Sequence, residues 1–279
     1  MANVLPRDKQ IQIISALVEG VSIRSIERMT GVHRDTIMRL MVKVGQACEA
    51  LHNKIMCELP CEAIEIDEIW GFVAKKQRNV DPTKDNVSVV GDAWTFVAID
   101  ADTKLIPAFR TGKRDAENTR LFIQDLASRL TNRVQISSDA FALYAREIDA
   151  TFDSAVDYAT VVKTYENDPM GTGNNGKYSP GRVTSIEKTA KIGSPDLETT
   201  STSYVERQNL TIRMSNRRMT RLTNAFSKKL ENHKAAMALH FANYNLCRVH
   251  RTLRVTPAMA AGVTDTVWTV ANLVDVANQ

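Results

Sequence analysis

A mixed α/β fold with a helical front and a helical back follows from three features of the chain. Short amphipathic helical stretches fill roughly the first fifty residues. The apolar period then switches from helical to alternating near Glu58. Beyond that point three β-prone runs come before any long helix, and helix and strand alternate afterwards, the order expected of a sheet that begins as an antiparallel meander and continues in parallel.

The front is read from caps and turns. Asp8 is placed to cap a run that carries Ile11, Ile14, Leu17 and Val18 on one face and stops at Gly20. Ser22 caps a second helix with Ile23, Ile26 and Met29. Thr30-Gly31-Val32 then makes a tight turn, and a third helix carries Ile37, Leu40, Met41 and Val44. Two short amphipathic helices around a glycine-bearing turn are helix-turn-helix grammar. The second helix of such a pair enters the major groove, which makes His33, Arg34, Thr36, Arg39 and Lys43 candidate DNA contacts. A small helical bundle without a DNA role fits the same residues.

A new domain is expected from residue 58. Strands are predicted over residues 63–72, 94–99 and 105–111, with Asp100 and Asp102 in a turn where aspartate is at home. A helix over 116–130 turns Leu121, Phe122, Leu126 and Leu130 inward. A strand over 134–138, a helix over 141–150 and a strand over 155–162 complete the order β-β-β-α-β-α-β. That order is the one of the ribonuclease H-like fold, with a mixed five-stranded sheet. Residues 165–202 are crowded with Gly, Pro, Ser, Thr and Asn and read as a mobile insertion. Helices from about residue 203 and over about 227–245 form a C-terminal extension, followed by a basic tail over 248–279. The division is therefore 1–57, 58–247 and 248–279.

With 279 residues and 43% hydrophobic content the chain has enough apolar material for a sizeable core. Its net charge of +4 hides an uneven distribution: between Ser201 and Arg254 eleven basic residues face only two acidic ones. A phosphate-rich partner is expected there. The four cysteines lack paired spacing and read as small buried hydrophobes, and no leader or long apolar run is present. A reduced cytoplasmic, nucleoid-associated protein with no membrane and no small-molecule cofactor is the expectation.

Three acids stand out. In Ile64-Glu65-Ile66-Asp67-Glu68, alternation sets Glu65 and Asp67 opposite Ile64 and Ile66, so an acid is forced towards a partly buried face or a site. Asp139 ends the run Val134-Gln-Ile-Ser-Ser and stands before a helix, which it would also suit as a cap. Glu206 heads a basic helical segment, where a first-turn acid is favoured by the helix dipole in any case. The first and fourth strands of the expected sheet are neighbours, so these acids can converge. Hard carboxylate oxygens suit two Mg²⁺ ions, with Mn²⁺ as a substitute, for phosphodiester chemistry.

These motifs, namely Ile66-Asp67-Glu-Ile-Trp70, Ser137-Ser-Asp139-Ala-Phe, Tyr204-Val-Glu206-Arg-Gln-Asn and the ending Tyr244-Asn-Leu-Cys-Arg-Val-His-Arg-Thr-Leu253, resemble bacterial insertion-sequence transposases of the Asp-Asp-Glu type, closest to the insertion-sequence-one family. The resemblance covers nearly the whole chain. It implies catalytic, metal-binding roles for Asp67, Asp139 and Glu206, and a DNA transposase that binds terminal inverted repeats, cleaves at the 3′ ends and joins them to target double-stranded DNA. It further implies phosphate contacts by Arg207, Arg213, Arg217 and Arg218, and a homodimer or higher oligomer. Many members of that family begin with a cysteine-rich zinc-binding module, which has no counterpart in these residues, so end docking is expected to rest on the helix-turn-helix. The other function these residues suit is a helix-turn-helix transcriptional regulator without catalysis. His250 is left outside the site, and Lys75 and Lys76 are secondary phosphate candidates.

Overall fold

The computed structural model describes residues 5–166 and 182–279. Its front consists of α1 (Arg7–Val18), α2 (Ile23–Thr30) and α3 (Arg34–Ile55). Ser22 caps α2 by accepting the Ser25 N–H at 3.1 Å, and Gly31 ends it at φ +70°, a left-handed conformation that glycine adopts without strain. Asp8 does not cap α1. Pro6 holds that position, and Asp8 sits in the first turn, where its charge suits the helix dipole. The third helix is one unbroken rod of 22 residues.

Six strands form one sheet in the order β3-β2-β1-β4-β5-β6. The antiparallel meander β1 (Ala63–Val73), β2 (Gly91–Asp100) and β3 (Phe109–Gly112) is followed by α4 (Ala116–Arg129), β4 (Val134–Ser138), α5 (Ala142–Phe152) and β5 (Val156–Tyr165). β4 lies parallel to β1, and β5 parallel to β4. The order 3-2-1-4-5 with these directions is the ribonuclease H-like arrangement that the element pattern predicts.

β2 starts three residues before the expected 94 and β5 runs three past the expected 162, and two other strands depart further. β3 starts at Phe109, four residues late, because the Asn245 side chain takes both backbone groups of Ile106: its Oδ1 accepts the N–H at 3.0 Å and its Nδ2 donates to the carbonyl at 2.9 Å. A sixth strand, β6 (Val183–Ile192), pairs antiparallel with β5 inside the span expected to be an insertion. It is exposed on most positions and rich in Thr, Lys and Glu, the polar dress of an edge strand, so its alternation carries no apolar signal. The Gly- and Asn-rich stretch over 168–176 lies outside the described residues.

The sheet is covered on both faces. Ile64, Ile66 and Phe96 pack with Phe122, Ile123 and Leu126 of α4 and Tyr144 and Ile148 of α5. On the opposite face Ile69, Val97 and Ile99 meet Val205 and Ile212 of α6 (Ser203–Ser215) and Met237 and Phe241 of α7 (Leu230–Ala242), beyond which residues 243–247 continue as a π-helical turn. The apolar interior runs on without a break into Ile13, Ile14, Ile26, Ile37 and Val44 of the front helices. α3 packs along α7, and they approach so closely that a Cβ on Gly45 would stand 2.2 Å from the Ala235 carbonyl oxygen. The C-terminal residues also return to the body. α8 (Pro257–Ala260) follows the π turn, and α9 (Val270–Val276) packs on α1 and α3, where Arg7 grips Asp275 through two bonds of 2.7 and 2.6 Å. Cys48 and Cys61 are buried as expected of small hydrophobes and Cys247 is half-buried, whereas Cys57 is exposed at the end of the α3 segment. Among the described residues no helix is long and apolar enough to cross a membrane.

Candidate active site

β1 divides its acids between the two faces of the sheet. Glu65 and Asp67 point to the α6 side, and Glu68 to the side of α5, as period-two alternation requires. In the parallel register the last pair is Ile66 with Ser138, so Asp67 is the next residue of β1 and Asp139 the first residue beyond the end of β4. Strands in a sheet are about 4.8 Å apart.

α6 brings the third acid. Glu65, buried beneath it, accepts the N–H groups of Tyr204 at 2.7 Å and Val205 at 2.9 Å, satisfying two of the donors that a helix start leaves open. Ser203 is the first residue of α6. Thr202 occupies the cap position, but its hydroxyl donates to Glu206 Oε1 at 2.7 Å rather than closing the helix. One turn on, Asn209 Nδ2 donates to Asp67 Oδ2 at 2.7 Å, which ties α6 to β1 beside the acids. Lys163 of β5 pairs with Glu206 Oε1 at 2.5 Å. Asp139 accepts the Phe141 N–H at 3.0 Å, so it closes a local turn after β4 and does not serve as the cap of α5, a position held by Phe141.

The electrostatics mark Asp67. Burial first, then the negative charge of Glu68, with further contributions from Asp139 and Glu206, push its carboxyl up to about 7, against the help of the Glu68 N–H. Burial also raises Glu65 and Glu68, opposed by the α6 N–H groups at Glu65 and by Tyr144 and Arg114 at Glu68. Among the described residues no three acidic, histidine or cysteine side chains are gathered tightly enough to grip an ion as they stand. Asp67 is turned to Asn209, Glu206 to Lys163 and Thr202, and Asp139 to the backbone of Phe141. The donor set nevertheless fits a hard divalent cation, since every candidate ligand atom is a carboxylate oxygen.

The candidate DNA contacts fall into two groups. His33, Arg34, Arg39 and Lys43 are exposed on α3, with Thr36 half-buried and accepting a bond from Arg39 at 3.3 Å. Lys43 also reaches Asn278 at 2.7 Å. Arg207 and Arg217 are exposed near α6. Arg213 and Arg218 are not turned to solvent as expected. Arg213 donates to the carbonyls of Met219 and Trp70, and Arg218 to Ser227 Oγ and the Met41 sulfur. Burial lowers both to about 10, with the charge of Arg221 adding to the effect at Arg213. Lys75 is paired with Asp85 at 2.8 Å.

Glu68, Arg114, Tyr144 and Lys163 join this region without having been singled out by chemistry, while Glu65 was noted only for its alternation and Asn209 only as the end of a motif. Asn209 could have been found, standing one helical turn beyond Glu206. Lys163 and Arg114 carry no local signal.

No family profile and no curated protein matches the chain. Among solved structures it is similar to the Mos1 transposase paired-end complex with left transposon end, at 14% identity over 57% of this chain and 60% of that one with a TM-score of 0.25. It is also similar to a pre-cleavage Mos1 transpososome, at 13% over 57% and 60% with 0.24, and to the Mos1 Strand Transfer Complex, at 15% over 57% and 59% with 0.25. The chain thus spans about 60% of the length of the structures it matches.

Proposed function

We propose that the protein is a DNA transposase of the Asp-Asp-Glu type, a relative of the insertion-sequence-one family, acting on double-stranded DNA with Mg²⁺ or Mn²⁺. What supports this reading is that Asp67 and Asp139 each directly follow the last registered pair of β1 and β4, and that α6, which carries Glu206, is fastened to β1 by Glu65 and by the Asn209 bond to Asp67. Asp67, Asp139 and Glu206 would hold the cations. Divalent ions in such a site activate an attacking oxygen and stabilise a leaving one.

The chemistry is two displacements at phosphorus. Water attacks the phosphodiester at the element's 3′ end, a P–O bond breaks, and a free 3′ hydroxyl is left. That hydroxyl then attacks a target phosphodiester, forming a new P–O bond as one target bond breaks. The chain's own side chains prepare the site. Asn209 fixes the orientation of Asp67, and Lys163 balances the charge of Glu206 before loading. Arg207 and Arg217, exposed near the same helix, suit phosphates, with the guanidinium fork favouring bidentate contact. His33, Arg34, Thr36, Arg39 and Lys43 on α3 suit the major groove of the terminal repeats. Handling two ends together calls for at least a dimer.

The test uses the full chain and a duplex bearing the element's end. Asp67→Asn, Asp139→Asn and Glu206→Gln are each expected to drop Mn²⁺-dependent cleavage below detection. End binding, governed by phosphate neutralisation elsewhere, is expected to stay within about threefold of wild type. Cleavage at the wild-type rate by any of the three would sink the assignment.

A further inference from the structure

Behind the acids, on the far face of β1, lies a charged cluster that the chemistry above leaves unused. Glu68 follows Asp67 directly, and its side chain is 1% exposed. Arg114, in the turn between β3 and α4, bonds Glu68 Oε1, and the Tyr144 hydroxyl of α5 donates to Oε2 at 2.7 Å. The Arg114 guanidinium also lies over the Phe141 ring, 4.0 Å from its centroid, and 4.9 Å from that of Trp94. Phe141 meets Tyr144 edge-on at 5.2 Å. Its backbone N–H is the group that holds Asp139.

The pair is a weak source of stability, because Glu68 is buried while Arg114 stays 35% exposed, so the cost of desolvating the carboxylate offsets much of a solvent-screened attraction. What this pair does instead is join two places that matter. One end is the residue after Asp67, and the other is a ring two residues after Asp139. We propose that Arg114 is a positioning residue that sets Asp139 relative to Asp67, by gripping Glu68 behind β1 and stacking on Phe141, whose N–H orients the Asp139 carboxylate. The role rests on the metal-dependent reading above. It parallels the way outer-shell partners of metal ligands set ligand orientation, where loss typically weakens metal binding about 10–100-fold.

The test removes the pair together, since removing Arg114 alone would strand a buried carboxylate. In Glu68→Gln/Arg114→Met and, separately, in Phe141→Leu, two quantities are measured: Mn²⁺ uptake, by loss of the free-ion electron paramagnetic resonance signal, and hydrogen exchange at the Phe141 amide. The expected result is Mn²⁺ affinity weakened about tenfold or more, with faster Phe141 exchange and a melting temperature close to wild type. Phe141→Tyr keeps the ring and is expected to behave as wild type. Unchanged affinity and unchanged exchange in both altered proteins would overturn the proposal while leaving the transposase reading intact. A wild-type chain that takes up no Mn²⁺ would overturn the metal-dependent reading, and the role of Arg114 with it.

Discussion

Asp67 holds a proton where a solvated aspartate would not. An unfolded chain releases that proton near 3.8, the folded one near 7. Between these values the native state binds more protons than the unfolded state, so stability falls as pH rises through roughly 4 to 7. Stability is thus greatest at the acid side of that window, and at pH 8 the ionised carboxylate strains the fold by an amount on the order of a few kcal/mol. Asp67→Asn removes the strain. In urea unfolding with a chelator present, the substituted protein is expected to exceed wild type at pH 8 and to match it near pH 4; equal pH slopes in the two would refute the assignment of the shift to Asp67. Asp67 and Asp139 stood out in the sequence because each follows a short β-prone run, and Glu206 because it heads a basic helical segment. Lys163 was not read at all, and Glu65 was read as turned inward but not as the support of α6, since each acts through a partner far along the chain: Lys163 through Glu206, 43 residues away, and Glu65 through the start of α6, 139 residues away. Exposure of individual arginines was equally hidden. Nothing in Arg213 or Arg218 announces that it turns inward, while Arg207 and Arg217 on the same stretch do not.

At the scale of elements, α6 depends on a residue from another element for its start. No side chain of its own caps it, and Glu65 supplies both acceptor bonds from below. Glu65→Ala leaves two helix N–H groups without that partner and is expected to lower stability by about 2–3 kcal/mol in denaturant unfolding. Cleavage is expected to fall further than stability explains, because α6 also carries Glu206. A loss below about 0.5 kcal/mol would show the cap to be replaceable by water. Strong periodicity made some elements plain: β4 spans the predicted residues, and α4 ends one residue short of expectation at its C-terminus. β3 and β6 escaped for different reasons. The first is shortened by a side chain of Asn245, and the second is an exposed polar edge whose pairing partner β5, not its own composition, makes it a strand.

For the whole molecule, the decisive contact is that of α3 with α7. Gly45 permits it: an added methyl would meet the Ala235 backbone, which has no flexible end to yield. Gly45→Ala gains about 1 kcal/mol of helix propensity. It should nevertheless lose about 2 kcal/mol net, because overpacking between backbones outweighs that gain. Thermal unfolding would reveal it, and a raised midpoint would mean that the helices part easily. The sequence division into a front module and a sheet domain did not foresee an interior that continues from Ile37 and Val44 into the sheet. Amphipathic pattern tells which face is buried, not what covers it.

The single rod of α3 reaches from exposed His33 and Arg34 to His52, whose Nε2 meets the Pro107 carbonyl at 2.9 Å just ahead of β3. At 1.5 Å per residue the stretch from Arg34 to His52 is about 27 Å of stiff helix. A rod of this kind couples its exposed, basic N-terminal end to the edge of the sheet at the other, so neither end can shift without carrying the other with it.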